Sequence, residues 1–314
     1  MDAGIQIEPQ FGFTYQAIRE IAREAEALGF SHLWVSDHFF LRPDQALTDC
    51  LEAWTLLSAL TQVTTRLRLG PLVTCQSYRP PSLLAKMAAG VDVQSGGRLE
   101  FGVGAGWKEV EYKAYGIPFP PPRVRVAQLV DTLEIVRAMW TQERATYRGR
   151  HYAIENALCA PKPVQRPHPP ILIGALRPRM LRVAARYGDA INFQDFFLSP
   201  AQYAAQLDRL REACAEVGRP YEAIRKTHCT YTIIGRTRAE VDAVIDDLAG
   251  RWGGTAEERQ ARLAGATTGT PAEVRERLDA YRALGLSQVI FLFPYGRELP
   301  MLRLIAEEVL PHLR

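Results

Sequence analysis

The chain has 314 residues, 47% of them hydrophobic, with 38 basic and 35 acidic side chains for a net charge of +3. That is enough apolar material to bury a substantial core; balanced charge, with no block of one sign, argues against a nucleic-acid or membrane-surface partner. The cysteines at 50, 75, 159, 214 and 229 are odd in number, scattered and without a CxxC pair, which argues for reduced core thiols in a cytoplasm and against a disulfide framework.

The opening Met1-Asp-Ala-Gly-Ile-Gln-Ile-Glu8 lacks a basic n-region or an apolar h-region, and no run approaches a membrane span, so the expected location is cytoplasmic. Ile5–Ile7 reads as a first strand. A helix from about Tyr15 to Leu28 follows, because Ile18, Ile21, Ala22, Ala25 and Leu28 share one face and Gly29 stops it. The alternation continues with a strand at His32–Val35, a helix through Trp54–Leu60, a strand at Leu67–Leu69, a helix from Pro81 to about Val93, a strand at Leu99–Val103 and a helix over Val124–Trp140. Beyond residue 170 come a strand at Ile171–Ile173, a helix at Pro178–Tyr187, a strand at Ala190–Asn192, a helix at Ala201–Val217 and a strand at His228–Ile234. Ala272–Leu284 then leads into a strand at Val289–Phe293 and a last helix near Leu299–Leu310.

Eight short strands separated by helices over this length favour an α/β fold of the (β/α)8 TIM-barrel type with insertions, a single domain over 1–314. Alternation alone does not exclude an open doubly wound sheet. Two stretches interrupt the pattern: Thr141–Pro170, with alternating residues around Tyr147–Ile154 and a Pro-rich tail, and Trp252–Gly269, which reads as a surface insertion or lid.

The densest chemistry lies in Phe101-Gly-Val-Gly-Ala-Gly-Trp-Lys-Glu-Val-Glu-Tyr112. A strand here breaks into a glycine turn that lets backbone approach a flat ligand, followed at once by Trp107, Glu109, Glu111 and Tyr112. It is not the dinucleotide fingerprint, which needs a further spaced glycine and a distant acid, and by itself it is equally a tight strand exit. Other unusual residues fall at the same ends of strands: Glu8 and Gln10, Asp37 and His38, Thr74, Gly174 and Asn192. In a barrel that is the catalytic face. Neither HExxH nor a spaced carboxylate cluster suggests a metal.

Several of these segments together resemble the luciferase-like flavin and deazaflavin oxidoreductases: Ala27-Leu-Gly-Phe-Ser-His-Leu-Trp-Val-Ser-Asp-His38, Leu69-Gly-Pro-Leu-Val-Thr74, Ser95-Gly-Gly-Arg-Leu-Glu-Phe-Gly-Val-Gly-Ala-Gly-Trp107, Pro161 to Gly174, and Ala184 to Asn192. The opening Ile7-Glu-Pro-Gln10 with Gly104-Ala-Gly-Trp107 looks most like the branch that uses coenzyme F420 in place of FMN. The resemblance implies a homodimeric oxidoreductase that moves a hydride between F420 and a small organic substrate. An FMN-dependent monooxygenase is the alternative, and a non-catalytic flavin-binding barrel a third.

The resemblance also implies roles. Asp37 and His38 would lie at the deazaflavin ring, with His38 as acid/base and Asp37 positioning it. Leu72, Val73 and Thr74 would form the support behind the ring, with a non-proline cis peptide at Leu72–Val73. Gly106 and Trp107 would face the ring; Gly174, Ala175, Leu176, Arg177 and Asn192 would hold the remainder, the phosphate going to the helix start beside Arg177, Arg179 and Arg182. The family's usual second glycine there is Ala175 in this chain. Relatives that donate a proton from a glutamate after the glycine turn have it where this chain has Trp107, which leaves Glu109, Glu111 and Glu8 as candidates. Phe39, Phe40, Trp107, Phe193, Phe196 and Phe197 suggest a partly hydrophobic substrate.

Overall fold

The computed structural model describes residues 1–42, 47–250 and 253–314. Its parallel strands are β1 (Asp2–Ile7), β2 (His32–Val35), β3 (Arg68–Pro71, resuming at Thr74–Cys75), β4 (Phe101–Gly104), β5 (Ile171–Ala175), β6 (Ala190–Phe193), β7 (Arg225–Ile234) and β8 (Gln288–Leu292). Each pairs in parallel with its sequence neighbour, and β8 returns to β1 with Ile5 opposite Phe291. The third strand closes the ring in two halves. Its first half pairs with β2, Leu33 opposite Leu69; its second pairs with β4, Thr74 opposite Val103, and a bridge joins Leu69 to Leu99. Between the halves the Leu72–Val73 peptide is cis, as the resemblance implies. The result is a (β/α)8 barrel.

Alternation along each strand builds two layers. Outward residues such as Ile5, Leu33, Leu69, Phe101, Ile173, Ile191 and Phe291 pack against the helices, through side chains such as Ile18, Leu57, Leu84 and Leu133. Inward residues form a smaller core of Trp34, Leu72, Leu172, Ala190, Cys229, Ile290 and Leu292. Because strands buried on both faces read as continuous apolar runs, the sequence locates nearly all of them. Below the inner core, at the N-terminal end of the strands, Glu100 takes Arg68 Nε at 2.6 Å and Arg225 Nη2 at 2.7 Å. Burial raises the Glu100 carboxyl, but the His32 imidazole, 3.8 Å away, and the charges of Arg225 and Arg68 outweigh that and bring it to about 2. This buried charge is paid for by its partners.

The helix termini follow their signals. Helix Tyr15–Leu28 starts where Thr14 accepts from Ala17 N at 3.2 Å and ends at Gly29, whose φ of 90° suits glycine. Helix Pro178–Tyr187 has the expected bounds, with proline in the first turn. The Thr141–Pro170 excursion contains an antiparallel hairpin, Ala145–Arg148 with Ala153–Ala157. The buried carboxylate of Asp131 secures it, accepting from His151 N, Tyr152 N and the Tyr147 hydroxyl.

The second interruption is more ordered than a surface lid. Trp252 lies outside the described residues, but a Thr255/Glu258 capping box opens helix Ala256–Gly265, and strand Thr267–Gly269 runs parallel to the far end of β7. Helices Glu109–Ala114 and Arg238–Ala249 are likewise absent from the sequence reading. Among the described residues no helix is long and apolar enough to cross a membrane.

Candidate active site

The C-terminal ends of the strands surround a cavity of about 630 Å³. The third strand's interruption puts Leu72 and Val73 on its floor, and glycines stand on either side. A Cβ on Gly104 would lie 2.8 Å, and one on Gly174 2.9 Å, from Val73 Cγ2; both positions need hydrogen there. Gly106 has φ of 76°, and a Cβ on it would meet the Tyr112 hydroxyl at 1.9 Å. The GxGxG pattern is therefore a packing requirement of this floor and wall.

His38 enters from the end of β2 with its side chain 20% exposed. Its Nδ1 donates to Glu111 Oε2 at 3.0 Å, and its ring stands edge-on to Trp107 with centroids 5.8 Å apart. Glu111 is fully buried on the short Glu109–Ala114 helix and also accepts from the Tyr78 hydroxyl at 2.6 Å, Phe39 N at 2.9 Å and Lys108 Nζ at 3.1 Å. Burial alone would raise its carboxyl; the bond and charge of His38, then Tyr78 and Phe39, outweigh burial and bring it to about 2. An ionised carboxylate at Nδ1 keeps a proton on that nitrogen and leaves Nε2 as the atom available for chemistry.

Glu111 is thus behind His38 and fully engaged, so it is not the exposed proton donor that sequence allows. Glu109 is half-exposed, pairs with Lys113 at 2.8 Å, and lies outside the cavity lining. Glu8 remains. It follows β1, lines the cavity, and accepts from Gln10 Nε2 at 3.2 Å; Gln10 is itself oriented by the Ser36 hydroxyl at 2.6 Å. Burial raises the Glu8 carboxyl, and His38, Gln10 and Lys108 only partly oppose it. A carboxyl raised by desolvation keeps its proton to higher pH than a solvated one, which suits a proton donor.

Asp37 takes a role different from the one expected. Its carboxylate receives a bidentate fork from Arg79, Nη1 at 2.8 Å and Nη2 at 2.9 Å, together with the Thr74 hydroxyl at 2.6 Å and Cys75 N at 3.0 Å. It fastens the second half of β3 beneath the cavity and makes no hydrogen bond to His38. Thr74 also accepts from Trp54 Nε1 at 3.1 Å, so its hydroxyl is committed to that structure. Arg79, Tyr78 and Lys108 carry no motif of their own, and sequence reasoning missed them.

Gly174, Ala175, Leu176 and Met180 form one wall. Arg177 and Arg179, exposed at the start of helix Pro178–Tyr187, lie beyond the lining, while Arg182 is held by Glu216. Asn192 is fully buried with its amide engaged by Thr227 and Gln194, and it does not line the cavity; Gln194 and Phe196 do. Of the six aromatic residues, only Trp107 and Phe196 line it. Phe39 is stacked on Tyr78 and Tyr115 at 4.4 and 4.1 Å, and Phe193 packs on Tyr203. Burial pushes the Cys75 thiol, which contacts the Tyr112 hydroxyl at 2.9 Å, up to about 12, a protonated and unreactive state.

A family model described as luciferase-like monooxygenase matches residues 2–288. The chain is 27% identical to a 5,10-methylenetetrahydromethanopterin reductase from Archaeoglobus fulgidus, the alignment covering 100% of both proteins. A phthiodiolone/phenolphthiodiolone dimycocerosates ketoreductase from Mycobacterium sp. (strain JLS) is 34% identical over 62% of this chain, and the match spans about half, 51%, of that relative's length. Among solved structures, the coenzyme F420 dependent tetrahydromethanopterin reductase from Methanopyrus kandleri has the same fold, with a TM-score of 0.84 at 19% identity over 100% of this chain and 99% of that one. Proteins of this fold include F420-dependent enzymes and one solved with modified FMN.

Proposed function

Since the chain belongs to the luciferase-like monooxygenase family, we propose that it is an oxidoreductase that binds the deazaflavin coenzyme F420 in the cavity at the strand ends and acts on a small organic substrate. Bound there, the coenzyme supplies a two-electron hydride donor or acceptor. The observation that carries the reading is His38, held through Nδ1 by the ionised Glu111 and leaving Nε2 at a cavity floored by Val73 between two glycines that admit no side chain.

The residues fit a flat ring with an anionic extension. Leu72 and Val73 would support one face of the ring, Gly104 and Gly174 keep the approach open, and Trp107 would flank an edge. The helix start at Pro178, with exposed Arg177 and Arg179 beside it, would hold phosphate. His38 would give or take a proton at Nε2, and Glu8, raised by burial, would do so from the end of the adjacent strand β1. Glu111 orients the imidazole and does not itself exchange the proton. Asp37 and Arg79 keep the floor in register.

The ring system is tested by titrating the cofactor-free protein in parallel with F420 and FMN, following fluorescence. F420 should bind with clearly greater affinity. Equal binding or an FMN preference transfers the site to the oxygen-using flavin chemistry of the family's monooxygenases.

A further inference from the structure

The larger cavity continues past Glu8 into a second chamber of about 290 Å³. Gln6, Glu8, Phe11 and Leu41 line both, so Glu8 stands at their junction. The second chamber is walled by Phe13, Leu248, Phe293 and Tyr295, with Tyr295 edge-on to Phe13 at 4.8 Å and stacked on Phe11 at 6.0 Å. Its volume and apolar walls suit a single-ring or short-chain organic molecule.

Arg42, Arg262 and Arg297 also face this space, against the acids Glu8, Asp247 and Glu298. The acids are accounted for. Asp247 pairs with Arg297 at 3.0 Å; Glu298 accepts Gly296 N with both oxygens, at 3.1 and 3.0 Å, and burial raises its carboxyl, as it does that of Glu8. Among the described residues Arg42 and Arg262 have no ion-pair partner, and Arg262 gives one N–H to the Gly253 carbonyl at 3.2 Å. Two guanidinium groups without an ion-pair partner beside apolar walls offer forked donors to an oxyanion.

We propose that this chamber is the substrate site and that the substrate is an organic anion, an apolar body ending in a carboxylate or phosphate monoester held by Arg42 and Arg262, with its reacting end toward Glu8. The orientation rests on the oxidoreductase reading; the anion binding does not.

Calorimetry on the cofactor-free protein separates the two. The probes are 4-phenylbutyrate, its uncharged primary amide and 2-phenylethyl phosphate. At least one anion should bind about tenfold more tightly than the amide, a preference that shrinks as salt rises. The Arg42→Gln/Arg262→Gln double variant should lose the preference while binding the amide as before, and Arg177→Gln should keep it. The carboxylate and phosphate arms identify which oxyanion is preferred. Equal binding of anions and amide by the unmodified protein, absence of binding, or a preference that survives the double variant would each overturn the proposal, whatever the outcome of the cofactor titration. A double variant that fails to bind even the amide leaves the decision to the unmodified protein and its salt dependence.

Discussion

Glu111 Oε2 lies 3.0 Å from His38 Nδ1 across 73 residues of sequence, and this contact determines which imidazole nitrogen the cavity receives. A carboxylate brought to about 2 by its donors holds the proton on Nδ1 at every pH where the enzyme would work. The tautomer that the proposed acid/base role needs is therefore built into the fold. His38→Ala should fold and retain cofactor, while single-turnover hydride transfer slows by roughly 10²–10⁴-fold, the range for losing a general acid or base. Glu111→Gln, which keeps the shape but removes the charge, should slow it by roughly 10–100-fold. Transfer at the original rate in His38→Ala, with a collapse in thermal stability, would make His38 structural.

Glu8 should set a limb of the pH profile. Its carboxyl is raised by burial, so as a proton donor it is competent below its folded pKa and fails as pH rises through it. Glu8→Gln should remove that limb and lower the rate. Parallel profiles of the two proteins across neutral pH are the measurement, and an unchanged limb would return the role to His38 alone.

Arg177 and Arg179 are exposed at a helix start whose neighbours Leu176 and Met180 line the cavity. Replacing both with alanine should weaken F420 binding, with the loss greatest at low ionic strength, because screening reduces the attraction in the unmodified protein as salt rises. Arg182→Ala should have little effect, since Glu216 already holds that side chain. Unchanged affinity of the double variant at low salt would place the phosphate elsewhere.

Glu100 predicts acid sensitivity far from the chemistry. Its folded carboxyl sits at about 2 against an ordinary value of 4.5. The stability it contributes is complete above the ordinary value and is lost as pH falls from there through about 2. Glu100→Gln should flatten that acid window and cost about 3 kcal/mol at neutral pH, the lower end for breaking a buried ion pair, because Arg68 and Arg225 remain partly hydrated. Thermal melts of both proteins over the acid range check both signs.

Periodicity made the barrel legible: strands buried on two faces are apolar runs, and helices between them carry a face every third or fourth residue. The sequence also marked the strand ends where His38, Glu8 and Gly106 stand, because such residue types have little reason to be there otherwise. What it could not decide was partnership. Glu109 and Glu111 are two residues apart and look alike as sequence, yet a helical turn buries one under His38 and leaves the other in solvent with Lys113. Asp37 and His38 are adjacent in the segment that leaves β2, yet Asp37 is taken by the Arg79 fork while His38 is held by Glu111 at the cavity. Asn192 is spent on Thr227 of the adjacent β7 and on Gln194. Local pattern decides where an element runs; only packing in three dimensions decides which of its polar groups is satisfied by protein and which is left for a ligand.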